Sequence, residues 1–302
     1  MDNSKPRAEK GVLYIVATPI GNMGDMTFRA VDILQRVDTV LAEDTRHTAG
    51  LLRHFNIRTN LVSCHEHNEA VRAGQLVEKL AAGESAALVS NAGTPAISDP
   101  GYRVVTEAIA NNIPVVPIPG ASAAIAALSA SAMPSDRFCF IGFVPKKKGR
   151  QETLLKHLEE RTETLVFYES PRRLIALLKS IEQHMGDRRA VVARELTKIH
   201  EEFLRGRVRD LIDRLEKRNP IKGEVTLLIA GKPDEPAVDP DVLEKEIRHA
   251  LLEEPQSTAR LAARLAKRYN GSKNEIYQEI LKIKAQLGEG ADNDKKGDSI
   301  DG

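Results

Sequence analysis

Val12-Leu-Tyr-Ile-Val-Ala17, followed at once by Thr18-Pro-Ile-Gly-Asn-Met-Gly-Asp25, sets the architecture. An unbroken apolar run reads as a strand buried on both faces, as in a parallel sheet sandwiched between helices. The polar turn ends it, Thr27 is placed to cap a helix, and Phe28, Ala30, Val31, Ile33 and Leu34 recur at helical spacing. Outward from this unit the pattern repeats. Segments 37–42, 60–64, 85–90 and 113–117 read as strands, with helices at 47–55, 68–82 and 102–111 between them. Such alternation predicts a mostly parallel sheet covered on both sides.

Pro114-Val-Val-Pro-Ile-Pro-Gly120 reads as a hinge, with a helix of small residues, 122–131, beyond it. A second α/β block follows, with strands at 138–143, 164–168, 190–194 and 224–230 and helices at 151–160, 172–184 and 208–217. Gly231-Lys-Pro-Asp-Glu-Pro236 then interrupts all periodicity as a linker. Three helices come after it, at 241–253, 257–267 and 273–284. Leu261, Leu265, Tyr269, Ile276, Ile280 and Ile283 form their packed faces, and Asn270-Gly271-Ser272 supplies a turn and a cap. Both a helix-turn-helix docking unit and a plain three-helix bundle satisfy this pattern. The expected fold class is therefore α/β, with α/β domains at 1–119 and 120–232, a small helical domain at 240–285 and a disordered tail at 286–302.

The chain has 302 residues, 41% hydrophobic and 29% charged, the balance of a soluble globular protein of about two domains. Trp is absent and aromatics are only 4%, so the cores must be aliphatic. No apolar run reaches the roughly 20 residues of a membrane span, and Met1–Lys10 lacks the apolar stretch of a secretory signal. The two cysteines, Cys64 and Cys139, stand in no paired motif. The expectation is a reduced, cytoplasmic protein with no membrane partner. Net charge is +1, but the last 17 residues carry five acids and two lysines, which leaves the body at +4. Basic clusters at 146–150, 172–173, 188–189 and 217–218 can follow phosphates, or can simply be solvated faces.

In an open parallel sheet, ligands sit beyond the carboxyl ends of the strands. Four loops there are rich in small residues and prolines: 18–22, 90–99, 118–122 and 168–171. Each alone is satisfied by an ordinary tight turn; together they let backbone approach a ligand closely. No G-x-x-x-x-G-K-[ST] occurs, and no G-x-G-x-x-G opens a helix, which disfavours a P-loop NTPase or a dinucleotide dehydrogenase. A ligand without phosphate, such as S-adenosylmethionine, fits better. His65-Glu66-His67 has the look of metal ligands but lacks a third partner in the neighbourhood, so no metal is expected.

The motifs Val16-Ala-Thr-Pro-Ile-Gly-Asn22, Ala42-Glu-Asp-Thr-Arg46, Ser90-Asn-Ala-Gly-Thr-Pro95, Ser98-Asp-Pro-Gly101 and Arg194-Glu-Leu-Thr-Lys198 occur in that order. Together with Pro119-Gly-Ala-Ser122 and Phe167-Tyr-Glu-Ser170 they make the chain, over roughly 11–285, resemble the tetrapyrrole-methylase superfamily. More narrowly, it is similar to the ribosomal RNA branch, the small-subunit rRNA methyltransferases I. That resemblance implies a cofactor cleft between two α/β domains, a homodimer, and 2′-O-methylation of a cytidine in the decoding centre of 16S rRNA. The methyl donor would be S-adenosylmethionine. It implies donor contacts from Thr18, Pro19 and Ile20, from Asn91, Gly93, Thr94 and Ile97, and from Ala121 and Ser122. Asn91 departs from the branch, which usually has Asp, and this puts any electrostatic role there in doubt.

Methyl transfer is an in-line displacement at an activated carbon, so the protein must align a hydroxyl and exclude water, and alignment can supply about 7–11 kcal/mol. A positioned base adds about 10²–10⁴-fold. Glu195 is the candidate to orient or deprotonate, with Lys198 and Arg46 holding RNA phosphate or the developing oxyanion. Salt bridges bracing the domain interface explain the same residues. Two other functions compete. A methylase of a small tetrapyrrole-type substrate would share the fold and the donor, whereas a ligand-sensing regulator would bind duplex through 240–285 alone.

Overall fold

The computed structural model describes residues 8–65, 67–218, 220–233, 240–253, 257–269 and 273–293. Contacts divide the chain after Lys232 into two units. The first holds two five-stranded sheets. Sheet one comprises β1 (Leu13–Val16), β2 (Thr39–Ala42), β3 (Asn60–Ser63), β4 (Ala86–Val89) and β5 (Val115–Ile118), all parallel, in the order β3-β2-β4-β1-β5. Its helices are α1 (Phe28–Arg36), α2 (Thr45–His54), α3 (Glu69–Ala81) and α4 (Tyr102–Ala110).

The alternation of side chains along each strand feeds two cores. Tyr14 and Val16 pack on one face with Ala30, Ile33 and Leu34 of α1 and Leu52 of α2. Leu13, Leu41 and Leu88 pack on the other with Leu76 and Leu80 of α3 and Val104 of α4. Thr27 caps α1 as its position predicts, its Oγ1 accepting from Ala30 N at 3.1 Å. The proline-rich stretch runs as strand β5, not as a free hinge. Pro117 is tolerated because β5 lies at the sheet edge and pairs on one side only.

Sheet two comprises β6 (Phe138–Phe143), β7 (Thr164–Glu169), β8 (Arg189–Arg194), β9 (Glu202–Arg207) and β10 (Val225–Ile229), ordered β6-β7-β10-β8-β9. Only β6 and β7 are parallel; the other pairings are antiparallel. One face carries α6 (Lys148–Leu158), α7 (Pro171–Met185) and α8 (Val208–Glu216) over Leu165, Phe167, Val192 and Leu227. The other carries α5 (Ala123–Ser129) over Val166, Val191, Ala193 and Leu228. Strand β9 has no counterpart in the sequence pattern, because Glu-Phe-Leu-Arg-Gly-Arg lacks clean alternation, and among the described residues it pairs with β8 alone.

The second unit contains α9 (Pro240–Glu253), α10 (Thr258–Tyr269) and α11 (Lys273–Asn293). Its core is Ile247, Ala250, Leu261, Ala262, Leu265, Ile276, Ile280 and Ile283, with Tyr269 packed against it. The expected turn at 270–272 lies outside the described residues. Helix α11 continues through 286–293, where the composition predicts a disordered tail; 294–302 lie outside the described residues.

Candidate active site

The carboxyl ends of β1, β4 and β5 present three loops that are bonded to one another. Thr18 N donates to Gly93 O at 2.9 Å and Gly93 N to Thr18 O at 3.0 Å, a single antiparallel bridge. Thr18 Oγ1 donates to Ser90 O at 3.1 Å, and Thr94 Oγ1 to Ala121 O at 3.2 Å. A Cβ on Gly120 would stand 2.9 Å from Ala17 Cβ, so only glycine lets these loops close up. The facing wall comes from sheet two. In β6, Ile141 is an extra residue between the pairs of Phe140 and Gly142, and the kink turns Phe143 toward the same space.

Between the walls lies a cleft of about 380 Å³, within the range of pockets that hold a small molecule. Of the residues the resemblance gives as donor contacts, Ile20, Gly93, Thr94, Ile97 and Ser122 line it. Thr18, Pro19, Asn91 and Ala121 do not. Thr18 and Ala121 tie the frame together through the bonds above. Asn91 ties it to the β2 loop, its Oδ1 accepting from Asp44 N at 3.3 Å and its Nδ2 donating to Glu43 Oε2 at 3.0 Å. An aspartate at 91 would lack that donor and would set a second carboxylate against Glu43.

The opposite wall includes Tyr168, Ser170, Leu196 and Glu224, with Asp99 and Ser98 on the first. Asp99 is half-buried, and its carboxyl is pushed up to about 6 by burial and by the charge of Glu43, against a hydrogen bond from Ser90. Burial also raises the Tyr168 phenol, with Asp99 adding to the shift, while Ala124 N donates to its oxygen at 3.2 Å. No residue pattern isolates Asp99 as functional; its only signal is its place in the Ser98-Asp-Pro-Gly101 motif. Ala96, Ser98, Glu195 and Thr197 hold positive φ of 66°, 63°, 53° and 65°, so non-glycine strain gathers in the loops around the cleft.

The three residues expected to do chemistry do not meet in the cleft. Glu195 and Lys198 do not line it, although Leu196, Gly223 and Glu224 beside them do. Lys198 Nζ bonds Glu195 Oε1 at 2.8 Å and Glu224 Oε2 at 2.9 Å, and Glu224 N donates to Glu195 Oε1 at 2.9 Å. The Glu195 carboxyl is lowered by the Lys198 bond first, burial opposing it. Lys198 is pulled down by its own burial but raised on balance by its two carboxylates. Gly21 sits so close to Lys198 and Thr197 that a side chain there would collide with both, so this cluster abuts the first wall. Arg46 stands apart, its side chain 94% exposed at the start of α2.

Several cations of the basic clusters are engaged within the fold. Arg188 is buried and bonds the carbonyls of Met185, Glu159 and Ala230. Arg173 bonds the carbonyls of Val144 and Pro145, and Arg218 pairs with Glu202. Lys146, Lys147, Lys148 and Arg150 remain exposed. His65 and His67 have ring centroids 6.0 Å apart, and Glu66 lies outside the described residues. Among the described residues no group of three metal-binding side chains assembles. No described helix is long and apolar enough to cross a membrane.

The sequence profile of the Tetrapyrrole (Corrin/Porphyrin) Methylases matches residues 12–212, from the start of β1 into α8. The chain belongs to the tetrapyrrole methylase family. Within that family it is 45% identical over 278 residues to "Ribosomal RNA small subunit methyltransferase I" of Synechocystis sp., covering 91% of this chain and 99% of that protein. The namesake from Escherichia coli O157:H7 is 45% identical over 284 residues, covering 93% and 96%. Among solved tetrapyrrole methylases, cobalt precorrin-4 methyltransferase superposes with a TM-score of 0.54 at 18% identity, over 74% of this chain and 97% of that one. Uroporphyrin-III-C-methyltransferase from Thermus thermophilus gives 0.53 at 21%, over 73% and 94%. These structures share the fold.

Proposed function

We propose that this methylase transfers a methyl group from S-adenosylmethionine to ribosomal RNA of the small subunit. The position we assign is the ribose 2′-hydroxyl of a decoding-centre cytidine in 16S rRNA. The carrying observation is the cleft, framed by backbone turns with no phosphate loop, in a chain that matches the rRNA methyltransferases along nearly its whole length. Its residues fit an adenosyl sulfonium. Ile20, Ile97, Leu196 and Val225 offer apolar surface, Thr94 and Ser122 offer hydroxyls, and Asp99 offers negative charge toward a cation. The bound donor supplies a methyl carbon already activated by positive sulfur.

The chain's task is then to orient and to dry the site. The bonded loops at 18–22, 90–94 and 118–122 keep the donor wall rigid, which is what converts binding into alignment. Exposed Phe143 and half-buried Tyr168, rings 5.7 Å apart, give a base or ribose an aromatic surface at the mouth. Exposed Lys146–Lys148 and Arg150 attract the RNA backbone. We read 1–119 and 120–232 as the two domains that form the site, 240–285 as a docking module, and the working form as a cytoplasmic homodimer.

The test is incubation of the protein with methyl-labelled S-adenosylmethionine and small subunits lacking the modification, followed by mass mapping of the rRNA. Label on one cytidine ribose is the expected outcome. A protein that leaves rRNA unlabelled but methylates a tetrapyrrole would overturn the reading in favour of the small-molecule alternative.

A further inference from the structure

Four carboxylates stand at or beside the cleft, and three of them are already neutralised. Glu169 Oε1 accepts from Ser170 N at 2.7 Å, and its Oε2 lies 3.4 Å from the Arg173 guanidinium. Glu195 and Glu224 share the Lys198 ammonium, and Glu195 also takes the Glu224 N–H. Asp99 differs. Among the described residues no Lys, Arg or His pairs with it, and it lines the cleft from the loop after β4. The groups that face it are the Glu43 carboxylate from the loop after β2, the Ser90 hydroxyl and the Tyr168 phenol from β7. None of these is a cation.

We propose that Asp99 takes the proton from the attacking hydroxyl, and that Glu195, which the sequence singled out, is a brace for the wall. The assignment rests on the methyl-transfer reading above. The ribose O–H bond breaks with its proton passing to an Asp99 carboxylate oxygen. The electron pair left on the ribose oxygen forms the new O–C bond, the C–S bonding pair stays on sulfur as a neutral thioether, and Asp99 later gives its proton to water. A base is most effective when its proton affinity lies near the working pH. Burial and Glu43 hold the Asp99 carboxyl up at about 6, which meets that requirement, whereas the Lys198 bond moves Glu195 the wrong way. The charged form does the work, so activity is present above that value and lost as pH falls through it.

The experiment measures single-turnover methyl transfer into undermethylated small subunits between about pH 5 and 9 for the wild-type chain, Asp99→Asn and Asp99→Glu. Calorimetry with S-adenosylhomocysteine accompanies each variant. The wild type should show an acid limb with a midpoint near 6. Asp99→Asn should lose about 10²–10⁴-fold in rate together with the limb, while its affinity for S-adenosylhomocysteine stays within about threefold. Asp99→Glu should restore a limb. An Asp99→Asn protein that transfers methyl within about threefold of wild type overturns the proposal alone. One that loses S-adenosylhomocysteine binding by more than about tenfold also overturns it, because Asp99 would then anchor the donor. A wild-type protein that binds S-adenosylhomocysteine but labels no rRNA at any pH removes the functional reading, and this assignment with it.

Discussion

Replacing Lys198 by Met keeps the length of the side chain and removes only its charge and donors, which isolates what the cluster beside the cleft contributes. Lys198 is 29% exposed and Glu195 17%, so their 2.8 Å bond is largely shielded from water. A charge-assisted bond of that kind is worth about 1.5–3 kcal/mol. The 2.9 Å bond to Glu224, whose side chain is 74% exposed, adds at most about 1 kcal/mol. Lys198→Met should therefore cost about 2–3 kcal/mol at pH 7, a fall in Tm of about 4–12 °C for a unit of this size. Glu195 is an acid held below its ordinary value of 4.5, so its contribution is present above that value and lost as pH falls through the lowered one. The defect should thus be full at neutrality and shrink below about pH 4.5. Thermal and urea unfolding of the two single variants, Lys198→Met and Glu195→Gln, and of the double variant closes a cycle with an expected coupling of about 1.5–3 kcal/mol. A coupling below about 0.5 kcal/mol would refute the bracing role and return Lys198 to the RNA.

Two further substitutions test the frame. Glu69 is buried, and its Oε1 accepts from Gly101, Arg103 and Val104 N at 3.0, 2.9 and 3.4 Å, capping α4 from a different helix. Glu69→Ala should cost about 2–4 kcal/mol in urea unfolding, with Glu69→Gln recovering about half; a loss under about 1 kcal/mol contradicts the cap. Asn91→Asp sets two carboxylates together, since Asn91 Nδ2 is 3.0 Å from Glu43 Oε2. It should lower stability by about 1–2 kcal/mol at pH 7, easing toward pH 5 as one of the pair protonates, and melting curves that ignore pH count against it.

The sheet-one strands and helices were legible in the sequence because each repeats one pattern: a short apolar run, a polar turn and a 3.6-residue stripe. Thr27 announced its cap by position alone. The four small-residue loops were legible as a group, and three of them do form one wall of the cleft with the fourth on the wall facing it, but the part played by each residue was not. Thr18 and Ala121 share a motif with Ile20 and Ser122, yet the first pair holds loops together while the second faces the cleft. Hydrogen bonds between loops 72 and 27 residues apart decide that difference, and no local pattern carries it. Asp99 was hidden for the same reason, since Glu43, which raises it, comes from a separate loop. Strand β9 was invisible because an edge strand with Arg and Glu on its open side does not alternate cleanly. Arg188 read as part of a basic surface cluster, yet the fold buries it to satisfy three carbonyls.

The left-handed turns at Ala96, Ser98, Glu195 and Thr197 set durability against turnover. Each non-glycine residue in that conformation raises the folded state by about 1–2 kcal/mol, a reserve that any glycine there would release. Selection for heat resistance alone should therefore drift toward glycine at Ala96, Ser98 and Thr197, but not at Glu195, whose carboxylate holds Lys198. The chains it yields would melt later and work more slowly, their site walls free to wander.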